Sequence, residues 1–167
     1  MLEQSKINTV GLIPARWGSI RFEGKPLAMI NGQTMIQRVY DRATLSKRLD
    51  KIYVVTDDNR IETYCNDNDL NVIRIDNVVP TGTDRIALTL DTLHADIYVN
   101  IQGDEPLIDP DAIDKVIESY TLGSVSNAYV KIEQDYKNSD INVVKVAFNK
   151  DNYATHFSRL PISPYQQ

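Results

Sequence analysis

Four short runs rich in β-branched and aliphatic residues constrain this chain more than any other feature. They are residues 9–14 (TVGLIP), 52–56 (IYVVT), 71–75 (NVIRI) and 97–101 (IYVNI), and each reads as a strand. The stretches between them carry helical signals. Met35, Ile36, Val39, Tyr40 and Ala43 recur at helical spacing behind Thr34-x-x-Gln37, a pattern that resembles a capping box. Asp57 and Asp58 are N-cap candidates for a short helix through about Cys65. A turn at 81–83 precedes a helix with Ile86, Ala87 and Leu90 on one face, and Asp109-Pro110 opens another. Residues 125–132 and 143–148 read as two further strands, 149–152 as a turn, and 153–158 as a strand or the opening of a helix. Strands alternating with helices predict an α/β layered fold. Ligands of such sheets gather at the carboxyl ends of the strands, which directs attention to the loops after the first, second and fourth.

Composition narrows the partners. The net charge of −5 argues against a general nucleic-acid binder. It leaves an anionic small substrate open, because Arg16, Arg21 and Lys25 fall within ten residues of one another. No apolar run approaches the roughly 18 residues of a membrane span, and no secretory segment follows Met1. The lone Cys65 has no internal disulfide partner, so a reducing cytoplasm is the expected location. Residues 1–8 read as a polar lead-in, and 9–167, without repeats or linkers, as one domain.

Four segments hold the chemistry. In Ile13-Pro-Ala-Arg-Trp-Gly-Ser-Ile-Arg-Phe-Glu-Gly-Lys-Pro-Leu27, glycine-flanked amides and three cations suit phosphates, although three cations on a solvated loop look the same. The segment is not a P-loop: the glycine spacing is one too long, and Pro26 stands where Ser or Thr is required. In Val99-Asn-Ile-Gln-Gly-Asp-Glu-Pro106, a strand ending in Gly-Asp sets Asp104 at the sheet's edge, where it either holds magnesium or makes an acidic turn. In Pro80-Thr-Gly-Thr-Asp-Arg85, Thr83 or Asp84 caps the next helix. Arg85 there pairs with Asp84 or a neighbour, or reaches an anion. Phe157-Ser-Arg159 supplies a further cation near the end of the chain. His94 and His156 show no metal-ligand spacing.

In this order and spacing, the motifs resemble the 3-deoxy-manno-octulosonate (Kdo) cytidylyltransferase family. They are Pro14-Ala-Arg-x-x-Ser-x-Arg, Gly24-Lys-Pro-Leu27, Gly82-Thr-Asp-Arg85, Asn100-Ile-Gln-Gly-Asp-Glu-Pro106, Asn142-Val-Val-Lys-Val146 and Phe157-Ser-Arg159. The resemblance implies a nucleotide-diphospho-sugar transferase sandwich with a mainly parallel central sheet. It implies magnesium-dependent transfer of CMP from CTP to Kdo, for lipopolysaccharide or capsule, by a homodimer. Arg16, Arg21 and Lys25 then match the triphosphate-binding cations and Asp104 the metal ligand. Gln102 and Arg159 match the acid-sugar positions, and Thr83 and Arg85 lie in the nucleotide-side segment. Alternatives are a cytidylyltransferase for amino-Kdo or sialic acid, and a shortened, non-catalytic CTP-binding relative.

Two departures accompany the resemblance. Phe22-Glu23 stand where the family has Leu-Pro, and Glu23 would point to solvent, pair with Lys25 or weaken CTP binding. The family also continues beyond position 167 with a second metal-binding aspartate, further sugar contacts and much of the dimer interface, so a chain lacking that C-terminal portion is expected.

Overall fold

The computed structural model describes residues 7–18, 22–121, 124–132 and 138–162. They fall into two compact units, Met1–Ser126 and Asn127–Gln167. In the first unit, β1 (Thr9–Ala15) is followed by a 3-10 turn at Lys25–Leu27. Then come β2 (Met29–Ile30), β3 (Gln33–Thr34) and α1 (Met35–Ala43). The chain continues through β4 (Lys51–Thr56), α2 (Asn59–Asp67), β5 (Val72–Arg74), α3 (Gly82–Ala87), β6 (Ile97–Asn100) and α4 (Pro110–Glu118).

The sheet order is β5-β4-β1-β6, and every pairing within it is parallel. The α/β expectation with a mainly parallel central sheet therefore holds. From β1 the chain runs outward to β4 and β5, then returns to place β6 on β1's other side. The strand order thus reverses between β1 and β6, and a crevice opens at their carboxyl ends.

The central strand explains why this sheet needs helices on both faces. Ile13 and Ala15 join Ile36, Val39, Val54, Ile61 and Ile113 in one apolar cluster, under α1, α2 and α4. Val10 and Leu12 point the other way and pack with Val55 and Ile86. Side chains alternate along a strand, so an apolar run such as TVGLIP must be covered twice. Burying Val10, Leu12 and Ile13 contributes roughly 1.5–3 kcal/mol each.

Several local expectations change. At Thr34 only half of the capping box forms: its hydroxyl accepts from the Gln37 amide at 3.3 Å, while the Gln37 side chain donates to Asp41 at 2.7 Å. The reciprocal box lies at Thr81 and Asp84, whose side chains accept from each other's backbone amides at 3.1 and 3.0 Å. Thr81 is therefore the cap of α3, not Thr83, and Asp84 is its partner three residues on. That helix ends at Ala87, and of the expected face only Ile86 is buried; Ala87 and Leu90 are exposed. The buried Thr89 donates its hydroxyl back to the Ile86 carbonyl at 2.7 Å, a local bond that competes with helix continuation. A β2–β3 hairpin, turning through Asn31 and Gly32 at positive φ, was not expected.

The second unit holds an antiparallel hairpin of β7 (Lys145–Phe148) and β8 (Ala154–Ser158), which settles 153–158 as a strand. The expected strand at 125–132 does not form: among the described residues it has no ladder partner. Its β-branched composition predicted a strand, but a strand exists only where another pairs with it. Among the described residues, no helix is long and apolar enough to cross a membrane.

One buried carboxylate secures α4, and with it the loop that leads from β6. Asp114 accepts from the Ser46 hydroxyl and from the amides of Lys47 and Arg48 at 3.1 and 3.2 Å, in the turn between α1 and β4. Burial alone would raise its pKa, but those donors outweigh it and hold the carboxyl below the usual range. The lowered pKa makes Asp114 stabilising above the ordinary carboxylate range, and that stabilisation is lost as pH falls through the folded-state value. Asp114→Ala should cost about 1–3 kcal/mol at neutral pH, because it leaves buried donors unpaired. In urea unfolding, the gap between wild type and variant should close as pH falls below about 4.

Candidate functional site

The crevice at the strand reversal is a cleft of about 230 Å³ within the first unit. Pro14, Ala15 and Arg16 reach it from the end of β1, and Lys25 and Pro26 from the 3-10 turn. Val79 and Thr81 come from the approach to α3, Gly82 and Arg85 from α3 itself, and Gln102, Gly103 and Asp104 follow β6. Three of the four segments singled out in the sequence, well separated along the chain, thus meet at one place.

Two glycines make the meeting possible by packing on Pro14. A Cβ on Gly103 would sit 2.7 Å from the Pro14 carbonyl oxygen, and one on Gly82 would lie 3.1 Å from the Pro14 ring. The absence of side chains at these positions lets the loop after β6 and the start of α3 close on the exit of β1.

The charges in the cleft have different partners. Lys25 donates to Asp104 at 2.6 Å, with side chains 34% and 50% exposed. A solvent-exposed pair of this kind is worth about 0–1 kcal/mol, so an incoming anion or cation separates it at little cost. Arg85 is 4% exposed and donates to Asp57 at 2.6 Å and to the Ile75 carbonyl at 2.8 Å. Of the pairing options, the neighbour is therefore Asp57, not Asp84. Arg85 ties α3 to the ends of β4 and β5; with Arg85 buried and Asp57 only partly so, removing Asp57 would leave a buried guanidinium without its counter-charge. Arg16 is exposed and has no ion-pair partner among the described residues.

Of the other candidates, Gln102 lines the cleft. Thr83 does not; its hydroxyl accepts from the Asn100 side chain at 3.4 Å. Arg21 lies outside the described residues. Arg159 belongs to the second unit, where its guanidinium donates to the Ile141 carbonyl at 3.1 Å. There Lys145, 3% exposed, donates its ammonium to the carbonyls of Asp140, Val143 and Arg159, fixing the backbone at Arg159. Lys145 drew attention in the sequence only as part of a strand motif, and Asp57 only as a cap candidate.

Of the alternatives for Glu23, the structure decides the one that concerns Lys25. The Glu23 carboxylate accepts from the Trp17 indole at 2.9 Å, and it does not pair with Lys25. The Arg60 guanidinium lies 3.6 Å from the centroid of the Trp17 ring. Arg60 also binds Asp58 through both carboxylate oxygens, at 2.9 and 2.7 Å, holding that carboxyl below its usual range. Cys65 plays no part in the cleft; burial, with Glu62 nearby, pushes its thiol up to about 12, so it stays protonated at neutral pH.

No three His, Cys, Asp or Glu among the described residues converge as a metal site. Asp104, the one carboxylate among the described residues on the cleft's lining, is a ligand of the type that magnesium takes, one or two carboxylates with its other ligands drawn from substrate phosphates and water.

A parallel sheet with a charged cleft at its strand reversal defines an α/β fold that takes its ligands at the carboxyl ends of its strands. The family model described as "Cytidylyltransferase" matches residues 10–167, and the chain belongs to that family. It is 42% identical, over 92% of its length, to 3-deoxy-manno-octulosonate cytidylyltransferase of Thermodesulfovibrio yellowstonii, of which it covers 64%. It is 44% identical, over 92% of its length, to 8-amino-3,8-dideoxy-manno-octulosonate cytidylyltransferase of Shewanella baltica, of which it covers 65%. The chain thus spans a little under two thirds of the length of these relatives. A solved structure of CMP:2-keto-3-deoxy-manno-octonic acid synthetase complexed with CTP is similar over 95% of this chain and 66% of that one. Its TM-score is 0.81 and its identity 34%. A cytidylyltransferase structure from Leptospira borgpetersenii matches 68% of this chain and 49% of that one, with a TM-score of 0.60 and 27% identity.

The packing at Pro14 is directly testable. Gly103→Ala forces a Cβ against backbone and should cost about 1–3 kcal/mol, read as a lowered melting temperature. Gly18→Ala, where nothing lies within 4 Å, should leave the melting temperature unchanged.

Proposed function

We propose that this chain carries the nucleotide site of a magnesium-dependent cytidylyltransferase acting on an eight-carbon acid sugar, either Kdo or its 8-amino analogue. The observation that carries the reading is the convergence of Arg16, Lys25 and Asp104 on one cleft at the strand reversal. The family match and the named activities of the relatives support it.

The reaction is a direct displacement. The anomeric hydroxyl of the sugar attacks the α-phosphorus of CTP, a new P–O bond forms, and the bond to the β-phosphate breaks to release pyrophosphate. Phosphoryl transfer of this kind depends on positioning and charge neutralisation more than on covalent help from the protein. Arg16 and Lys25 bind the triphosphate oxygens, with Lys25 leaving Asp104 to do so, and Arg21 joins them. Asp104, freed from Lys25, would hold a magnesium ion, which would supply neutralisation of the triphosphate charge. Arg85 holds the Thr81–Gly82 edge against which the nucleoside lies, with Thr83 beside it. Gln102, on the lining of the cleft, takes the sugar. The product would serve lipopolysaccharide or capsule assembly, in a reducing cytoplasm that suits the lone thiol of Cys65.

The test is pyrophosphate release by the purified chain with magnesium, CTP and either sugar, against a control without sugar. Sugar-dependent release is expected, and the faster sugar identifies the acceptor. CTP binding without release would reduce the reading to a nucleotide-binding module. Asp104→Asn should weaken magnesium-dependent CTP binding by about tenfold or more, the scale of a lost charged contact. Unchanged binding would remove Asp104 from the metal site.

A further inference from the structure

Residues 16–25 carry two of the cleft's three described basic residues at their ends: Arg16 just before Trp17, and Lys25 just after Gly24. Neither Trp17, Glu23 nor Arg60 lines the cleft, yet the three are joined. The Gly24 amide donates to the Trp17 carbonyl at 3.0 Å, which brings the two ends of the segment together. Glu23 accepts from the indole at 2.9 Å along the edge of the ring. Arg60, fixed from behind by Asp58, lies over the ring's face at 3.6 Å from its centroid. Gly24 has φ 68°, and a Cβ there would lie 2.8 Å from the ring, so the ring occupies space that only glycine leaves. Backbone, edge and face are all engaged at a position one residue from Arg16.

We propose that Trp17, Glu23 and Arg60 form a clamp that holds these two ends together and so positions Arg16 and Lys25 for a polyphosphate. The three are positioning residues, and the inference rests on the nucleotide reading above for the identity of that polyphosphate. Two physical effects act in the clamp. It restricts the freedom that two long cations would otherwise lose on binding, so less entropy is lost when the ligand arrives. It also engages the carboxylate of Glu23 with the indole and sets Arg60 close by, so that a negative charge near the phosphates is not left free to repel them.

Trp17 is the sole tryptophan, so its emission reports the clamp directly. The probes are inorganic tripolyphosphate, CTP and CMP, titrated against wild type, Glu23→Ala, Glu23→Gln and Arg60→Ala. Glu23→Ala and Arg60→Ala should shift the emission and weaken tripolyphosphate and CTP by about three- to tenfold, with CMP affinity unchanged. Glu23→Gln keeps an oxygen acceptor for the indole and should restore most of the affinity. Wild-type affinity for tripolyphosphate and CTP in both alanine variants would overturn the clamp. So would a parallel loss for CMP that tracks a lowered melting temperature, since that is general destabilisation. A wild type that binds tripolyphosphate but prefers CTP no more than that would overturn the nucleotide reading alone, with the clamp decided by the tripolyphosphate series. A wild type that binds none of the three would overturn both.

Discussion

The approach of two glycines to Pro14 is the constraint on which the cleft depends. Gly103 leaves β6 toward the Pro14 carbonyl, and Gly82 opens α3 against the Pro14 ring. Any larger side chain at Gly103 would push the loop of Asp104 away from the exit of β1, where Arg16 lies. The strand order places the ends of β1 and β6 side by side, but only this close packing turns adjacency into a site. Glycines that look permissive in the sequence are, in the fold, positions with little room for a side chain.

Around that junction, charge is arranged in tiers set by burial. Arg85, almost fully buried, has its partner in Asp57 and acts as a bolt between α3 and the ends of β4 and β5. Lys25 and Asp104, both partly exposed, hold each other loosely. Arg16 is exposed with no ion-pair partner among the described residues. The cost of separating a pair rises steeply with burial. The same residue types therefore divide into a fixed frame and a readily exchanged lining, and the division follows exposure.

The parts that were legible in the sequence share a cause. The central strands, the cap at Asp109 and the loops after β1 and β6 are written in local signals, namely apolar runs, caps and Gly-Asp at a strand's end. What escaped depends on partners distant in sequence. Arg85 finds Asp57 across 28 residues, and Arg60 meets Trp17 from a different element. Residues 125–132 failed as a strand for the same reason, since pairing is not a property of a segment alone. The hairpin at Asn31-Gly32 is the exception: Asn-Gly between short extended runs is a local turn signal and could have been read. Thr81 and Asp84 were within reach too, because a Thr-x-x-Asp pattern directly before Arg85 is as good a box as the one sought at Thr34.

Glu23 shows how far a residue count can mislead about a binding site. An argument from the count alone, a net charge of −5 with an acid between Arg16 and Lys25, would exclude a small anionic ligand. The argument fails because electrostatic attraction depends on where charge is held and what faces it, not on its sum. Glu23 is turned to an indole edge, with Arg60 stacked on the same ring, while Arg16 and Lys25 line the cleft. An acidic substitution at this point is thereby used as an anchor for the residue beside Arg16. Through Trp17, α2 by way of Arg60 and the acid at Glu23 meet on the residue next to Arg16.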